Sequence, residues 1–125
     1  MTSATQKHSI HFSKGLGETT AISPRLFSDQ FHIDFETLAD LAHVELAVLL
    51  HRPDSESLQK YMRDASNLVS LLLDLNGGDL GRAMAWFRHA PLSELGGATA
   101  EHYVSQGRAD AVHRYALALA AGATG

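Results

Sequence analysis

No cysteine occurs among the 125 residues. That excludes disulfide staples and thiolate metal sites, and it fits a reducing compartment. Proline is scarce, with three residues, Pro24, Pro53 and Pro91, so long stretches are free to be helical. Positive charge is in deficit: ten Lys and Arg stand against fourteen Asp and Glu, for a net charge of −4. A non-specific grip on nucleic acid needs a cationic face, and this balance argues against one. No run of about 18 apolar residues is present to cross a bilayer, and the first residues lack the apolar core of a signal peptide. A soluble, cytoplasmic protein with no membrane contact is expected, built as one domain or one domain with a small appendage.

The usual catalytic signatures are missing as well. There is no Gly-rich phosphate loop, no His-Glu-x-x-His and no Gly-x-Ser-x-Gly. Eight histidines invite a metal reading, but His8 and His11 have no carboxylate cluster beside them, and no set resembles a closed four-ligand site. Glu101 and His102 are neighbours, and adjacent helical residues diverge by about 100°, which disfavours an acid–base pair. The expectation is a binding protein: no enzyme, no cofactor and no metal.

What is present is helical periodicity. Residues 1–22 are polar and aperiodic and suggest a flexible arm, with "HSIHF" pairing locally. Ser23 caps and Pro24 opens a short helix bearing Leu26, Phe27 and Phe31. Asp34 caps "DFETLADLAHVELAVLLHR", either one helix or two broken near His43–Val44, stopped by Pro53. The strongest periodicity runs through Leu58, Tyr61, Met62, Ala65, Leu68, Val69 and Leu72, with Gln59, Lys60 and Arg63 on the polar face. Asp54 or Ser55 caps this helix and Asn76-Gly77-Gly78 ends it. Leu71 and Leu73 widen its apolar surface, which points to dimerisation through residues 55–75. Asp79 caps "LGRAMAWFRHA", where Leu80, Ala83, Met84 and Phe87 share a face and Trp86 lies off it. The last helix, "RADAVHRYALALAAG", places Val112, Tyr115, Ala116 and Leu119 in one stripe, with Gly122 as its C-cap. No strand pattern appears, so the fold class is all-α.

Between the last two long helices lies "APLSELGGATAEHYVSQG". Gly96-Gly97 permits a tight bend where a Cβ would clash. Thr99 caps a short helix and Gly107 ends it. Leu92, Leu95 and Val104 pack the bend onto the Trp86 helix. The result is a shaped platform rather than a simple linker.

The ordered series Ala83, Trp86, Pro91, Leu95, Gly96, Gly97, Thr99, Gly107, Ala111, Val112, Tyr115 and Gly122 resembles the toxin-binding region of the Xre/MbcA/ParS antitoxins. The likeness covers about 40 residues, and residues 34–76 resemble the family's Xre-like helix-turn-helix and linking helix less closely. It does not reach the arm over 1–22, and it implies an Xre-like helical region over 23–76 and a toxin-binding domain over 77–125. It also implies an antitoxin of a type II toxin-antitoxin system, which neutralises a RES-domain toxin that degrades NAD or transfers ADP-ribose. A homodimer within a toxin-antitoxin complex is expected. The candidate toxin contacts are Trp86, Arg88, His89, Leu95, Gly96, Gly97, Arg114, Ala121, Gly122 and Gly125. The slim, Ala-rich last helix and its small tail would occlude the toxin's NAD cleft, with the terminal carboxylate meeting donors built for phosphate.

Two departures from the family pattern bear on this. Ala100 stands where the family usually has Pro, a change that leaves a good helix former. The helix-turn-helix turn reads His43-Val44 in place of Gly-Val, and the base-reading helix "ELAVLLHRP" offers Glu45 and aliphatics before His51 and Arg52. Major-groove reading uses Arg, Lys, Asn or Gln, and Glu45 repels phosphate. DNA binding through His51 and Arg52 is therefore expected to be weak or absent. A helix-turn-helix transcriptional regulator without a toxin is the alternative function.

Overall fold

Ser23 and Pro24 start the first helix of the structure, a computed structural model that describes residues 20–124, with side chains described through residue 122. Seven α-helices follow in order: α1 Pro24–Phe31, α2 Phe35–Ala42, α3 Leu46–His51, α4 Glu56–Leu75, α5 Leu80–His89, α6 Ala100–Ser105 and α7 Ala109–Thr124, with a 3₁₀ turn at Ser93–Leu95. No strand forms among the described residues, so the fold is all-α. By internal packing these residues make two units, 20–64 and 65–124, and the division falls inside α4, between Asp64 and Ala65. The expected arm over 1–22 lies outside the described residues except for its last three.

In the first unit, local signals set each helix end. Ser23 Oγ accepts from the Leu26 N–H at 3.2 Å, and Pro24 needs no N–H partner at the first helical position. Asp34 Oδ1 accepts from the Thr37 N–H at 2.8 Å. The stretch from Asp34 to Arg52 resolves into two helices because His43 turns left-handed at φ 61°. The Val44 N–H then bonds back to the Ala39 carbonyl at 3.0 Å, closing α2 in the Schellman manner. His32, at φ 57°, closes α1 the same way through Ile33 N–H to Ser28 O.

The core of this unit is aromatic and aliphatic. Phe27 and Phe31 stack with centroids 4.0 Å apart, and Tyr61 meets Phe27 edge-on at 6.0 Å. Leu38, Leu49, Leu58 and Met62 are buried with them. Gln59, expected on the polar face, is half-buried instead. Its side chain accepts from the Ile22 N–H and donates to the carbonyls of Ile22 and Pro53, at 2.8, 2.9 and 2.8 Å. It thus ties the chain before α1 and the α3–α4 turn to one helix. Ser55 does not cap α4: its hydroxyl is buried without a hydrogen-bond partner.

The second unit holds the rest of α4 with α5, α6 and α7. Its buried side chains include Leu68, Val69, Leu72, Leu73, Phe87, Leu92, Val104 and Val112. Gly77, at φ 66°, ends α4, with the Gly78 N–H on the Leu73 carbonyl at 2.8 Å. Asp79 caps α5 through the Arg82 N–H at 3.1 Å. Two expectations are corrected here. Gly122 is not a C-cap, because α7 continues through it to Thr124; alanines on both sides carry the helix past one glycine. Leu73 is buried and Leu71 half-buried, so they are not the exposed patch that motivated dimerisation through residues 55–75.

Candidate functional site

The bend between α5 and α6 is built around Tyr103. Its hydroxyl accepts the Ala98 N–H at 3.1 Å, and a Cβ placed on Gly96 would lie 2.7 Å from that same oxygen. Gly96 also sits at φ 131°, which side chains rarely adopt. The Leu92 N–H bonds to the Ala98 carbonyl and the Gly97 N–H to the Leu92 carbonyl, both at 2.9 Å, so the loop closes on itself. Thr99 caps α6 through the His102 N–H at 3.2 Å. At its far end Gly107 turns left-handed at φ 82°, and the Arg108 guanidinium lies 4.9 Å over the Tyr103 ring.

A second tie spans the bend. Arg88 on α5 donates from Nε and Nη2 to Glu101 Oε2 on α6, at 3.3 and 3.2 Å, with both side chains half-buried. Arg88 was expected at an open rim for toxin contact. The structure engages it in this clamp, with Glu101 as its partner. His89 is exposed at the end of α5.

An open apolar groove of about 180 Å³ is lined by Leu72 and Leu75 of α4, Trp86 of α5, and Ala116, Leu119 and Ala120 of α7. Its physical cause is residue size. Ala116 and Ala120 lie four apart on one side of α7, and their short side chains leave room that Leu or Phe would fill. Trp86 forms the opposite wall, its ring 6.4 Å from Tyr115. Leu75 and Leu119, at 41% and 46% exposure, carry the apolar lining out to solvent. Leu119, in one apolar stripe with Val112, Tyr115 and Ala116, forms the groove's edge.

No family model, curated protein or solved structure matches the chain.

The candidate contact residues therefore fall into separate places. Trp86 lines the groove. Leu95 is half-buried, and Gly96 and Gly97 form the exposed bend. Arg114 and Ala121 are exposed and, seven residues apart, share a face of α7 turned away from Ala116. Gly122 is exposed within α7, and Gly125 lies outside the described residues. The sequence reading missed Leu72, Leu75, Ala116 and Ala120 as groove lining, because two of them also belong to buried stripes.

The first unit is acidic. Residues 20–64 hold eight Asp and Glu against four Lys and Arg. Glu45 occupies the N-cap of α3 without a side-chain cap bond, and His51 and Arg52 are exposed at the other end. Among the described residues no group of three or more His, Asp and Glu gathers as a metal set; His8 and His11 lie outside them. No described helix is long and apolar enough to cross a membrane.

Proposed function

We propose that this chain is an antitoxin that binds and neutralises a RES-domain toxin acting on NAD, and that it is a binding protein rather than an enzyme. The observation that carries this reading is the Trp86 groove, within the region whose sequence resembles the toxin-binding region of the Xre/MbcA/ParS antitoxins. The groove offers an aromatic wall, aliphatic edges and little charge, the make-up of an interface core rather than of a catalytic pocket. Trp is also among the residues that most often anchor protein interfaces.

In this reading the toxin docks an apolar side chain between Trp86, Leu75 and Leu119. Docking carries the end of α7 into the NAD cleft. Ala118, Ala121 and Gly122 give that end a small cross-section, so it fits a cleft shaped for a dinucleotide. The bend, held by Tyr103 and the Arg88–Glu101 clamp, fixes the angle between α5 and α6.

The test is co-expression with the RES-domain toxin, read as complex recovery and cellular NAD. Leu119→Glu, at an exposed groove position, is expected to lose both binding and protection of NAD. Removal of residues 122–125 is expected to keep binding and lose protection. Full protection by both variants would overturn the proposal. A wild-type chain that recovers no toxin would overturn it too, and specific operator binding by that chain would favour the helix-turn-helix regulator instead.

A further inference from the structure

The turn that ends α4 carries the one Asn-Gly step in the chain, Asn76-Gly77. Asparagine is among the thermally labile residues, and it decays when the backbone nitrogen of the next residue attacks its side-chain amide carbon. Glycine at that next position removes the side chain that would crowd the approach. The structure leaves this nucleophile loosely held. Gly77 is exposed, nothing lies within 4 Å of where a Cβ would stand on it, and its N–H reaches the Asp74 carbonyl only at 3.4 Å. The amide carbon, in contrast, is tethered. Asn76 Nδ2 donates to the Leu72 carbonyl at 2.7 Å, which draws the carboxamide back along α4 and away from Gly77. The chain's other asparagine, Asn67, is exposed in the middle of α4 and is followed by the buried Leu68.

We propose that Asn76 is a self-modifying site, converting to aspartate and isoaspartate, and that its hydrogen bond to Leu72 sets the rate. Release of the amide from the Leu72 carbonyl frees Cγ to meet the Gly77 nitrogen. The N–H proton passes to water, the N–Cγ bond forms, and the Cγ–Nδ2 bond breaks with loss of ammonia. Water then opens the cyclic imide at either of its carbonyls. One opening leaves an aspartate at position 76, and the other routes the main chain through the former side chain. In balance, one amide and one water become one carboxylic acid and one ammonia, and nothing is oxidised or reduced. Either product loses the side-chain donor on the Leu72 carbonyl. Its carboxylate stands at the C-terminus of a helix, where the dipole disfavours an anion, and between Asp74 and Asp79 in sequence. The isoaspartate also adds a carbon to the main chain, which displaces the Gly78 N–H from its 2.8 Å bond to the Leu73 carbonyl. The last turn of α4 supplies Leu72 and Leu75 to the groove, so the modification loosens that wall, in one direction and without an enzyme. The reaction does not depend on what occupies the Trp86 groove.

Incubation of the full chain at neutral pH, with peptide mass spectrometry at intervals, tests the site. Conversion is expected at Asn76, with Asn67 unchanged as the internal control. In the folded chain it is expected to run about tenfold or more slower than in urea, since an end turn must first open locally. Gly77→Ala is expected to suppress the reaction, even though alanine strains the turn. Asn76→Asp, which builds one product directly, is expected to lower the melting temperature by about 3–6 °C and to speed amide exchange at Gly78. The proposal is overturned by a folded chain that stays unmodified at Asn76 for about a hundredfold longer than the unfolded chain takes to convert. It is equally overturned by equal rates in the folded and unfolded chains, or by equal conversion at Asn67 and Asn76. A Gly77→Ala chain that converts as fast, or an Asn76→Asp chain with unchanged melting and exchange, overturns it too.

Discussion

Four helices of this protein close with the same hydrogen bond, from an N–H back to the carbonyl five residues earlier, and the two units make that closure with different residues. In the unit of residues 20–64 the left-handed position is His32 after α1 and His43 after α2; in the unit of residues 65–124 it is Gly77 after α4 and Gly107 after α6. Glycine adopts that conformation without strain, and histidine does so at some cost. The apolar residues after the histidines, Ile33 and Val44, are half-buried, and such a contact usually accompanies the motif. The glycine closures are followed by Gly78 and Arg108, and Arg108 rests on Tyr103 instead. The first unit thus accepts local strain and offsets it with packing, whereas the second relieves strain in the backbone and adds polar ties at the bend.

The largest test of that contrast is Gly96→Ala. Positive φ and the Tyr103 hydroxyl act together there, so a loss of about 2–4 kcal/mol is expected in denaturant titrations. Gly107→Ala, where nothing lies near the added carbon, should lose only about 1 kcal/mol. Equal losses at the two sites would break the comparison. Next in size is the clamp. Glu101→Gln leaves Arg88 half-buried beside a neutral partner, and a loss of roughly 1 kcal/mol is expected, with less at high salt. Smaller and of opposite sign, His43→Gly should stabilise the chain by about 0.5 kcal/mol. If His43→Gly destabilises instead, the side chain contributes more than its conformation costs.

The smallest effect concerns pH. Hydrogen bonds from the Thr37 side chain and from the Thr37 backbone N–H hold the Asp34 carboxyl below the ordinary aspartate value. A depressed folded-state pKa supplies stability above the unfolded value, and that stability is lost as pH falls through the lowered one. Wild type should therefore exceed Asp34→Asn near neutrality, and the gap should narrow as the pH is taken below the aspartate range. A gap that is constant with pH would show that the cap works without its charge.

Much of this architecture could be read in advance because it is local. Ser23, Asp34, Asp79 and Thr99 cap helices three residues away or less, and Gly77, Gly96 and Gly107 announce turns that other residues resist. What was not legible depends on contacts between distant positions. Arg88 and Glu101 are 13 residues apart across the bend, and Gln59 reaches 37 residues back to Ile22, so helical spacing carries no trace of either pair. The groove escaped notice for a related reason: alanine at 116 and 120 has the same meaning for periodicity whether the space beside it is filled or open. Gly122 misled because glycine ends many helices but tolerates an Ala-rich interior.

Trp86 is the only tryptophan in the chain. Its half-buried ring forms one wall of the groove, 6.4 Å from that of Tyr115. The protein's fluorescence therefore comes from one known place, and Tyr115 is close enough to pass excitation to it. Water against the indole is exchanged for hydrocarbon when something covers the groove. The emission then moves to shorter wavelength, and iodide quenches it less. The groove carries its own reporter, so its occupancy can be titrated in solution with no added label.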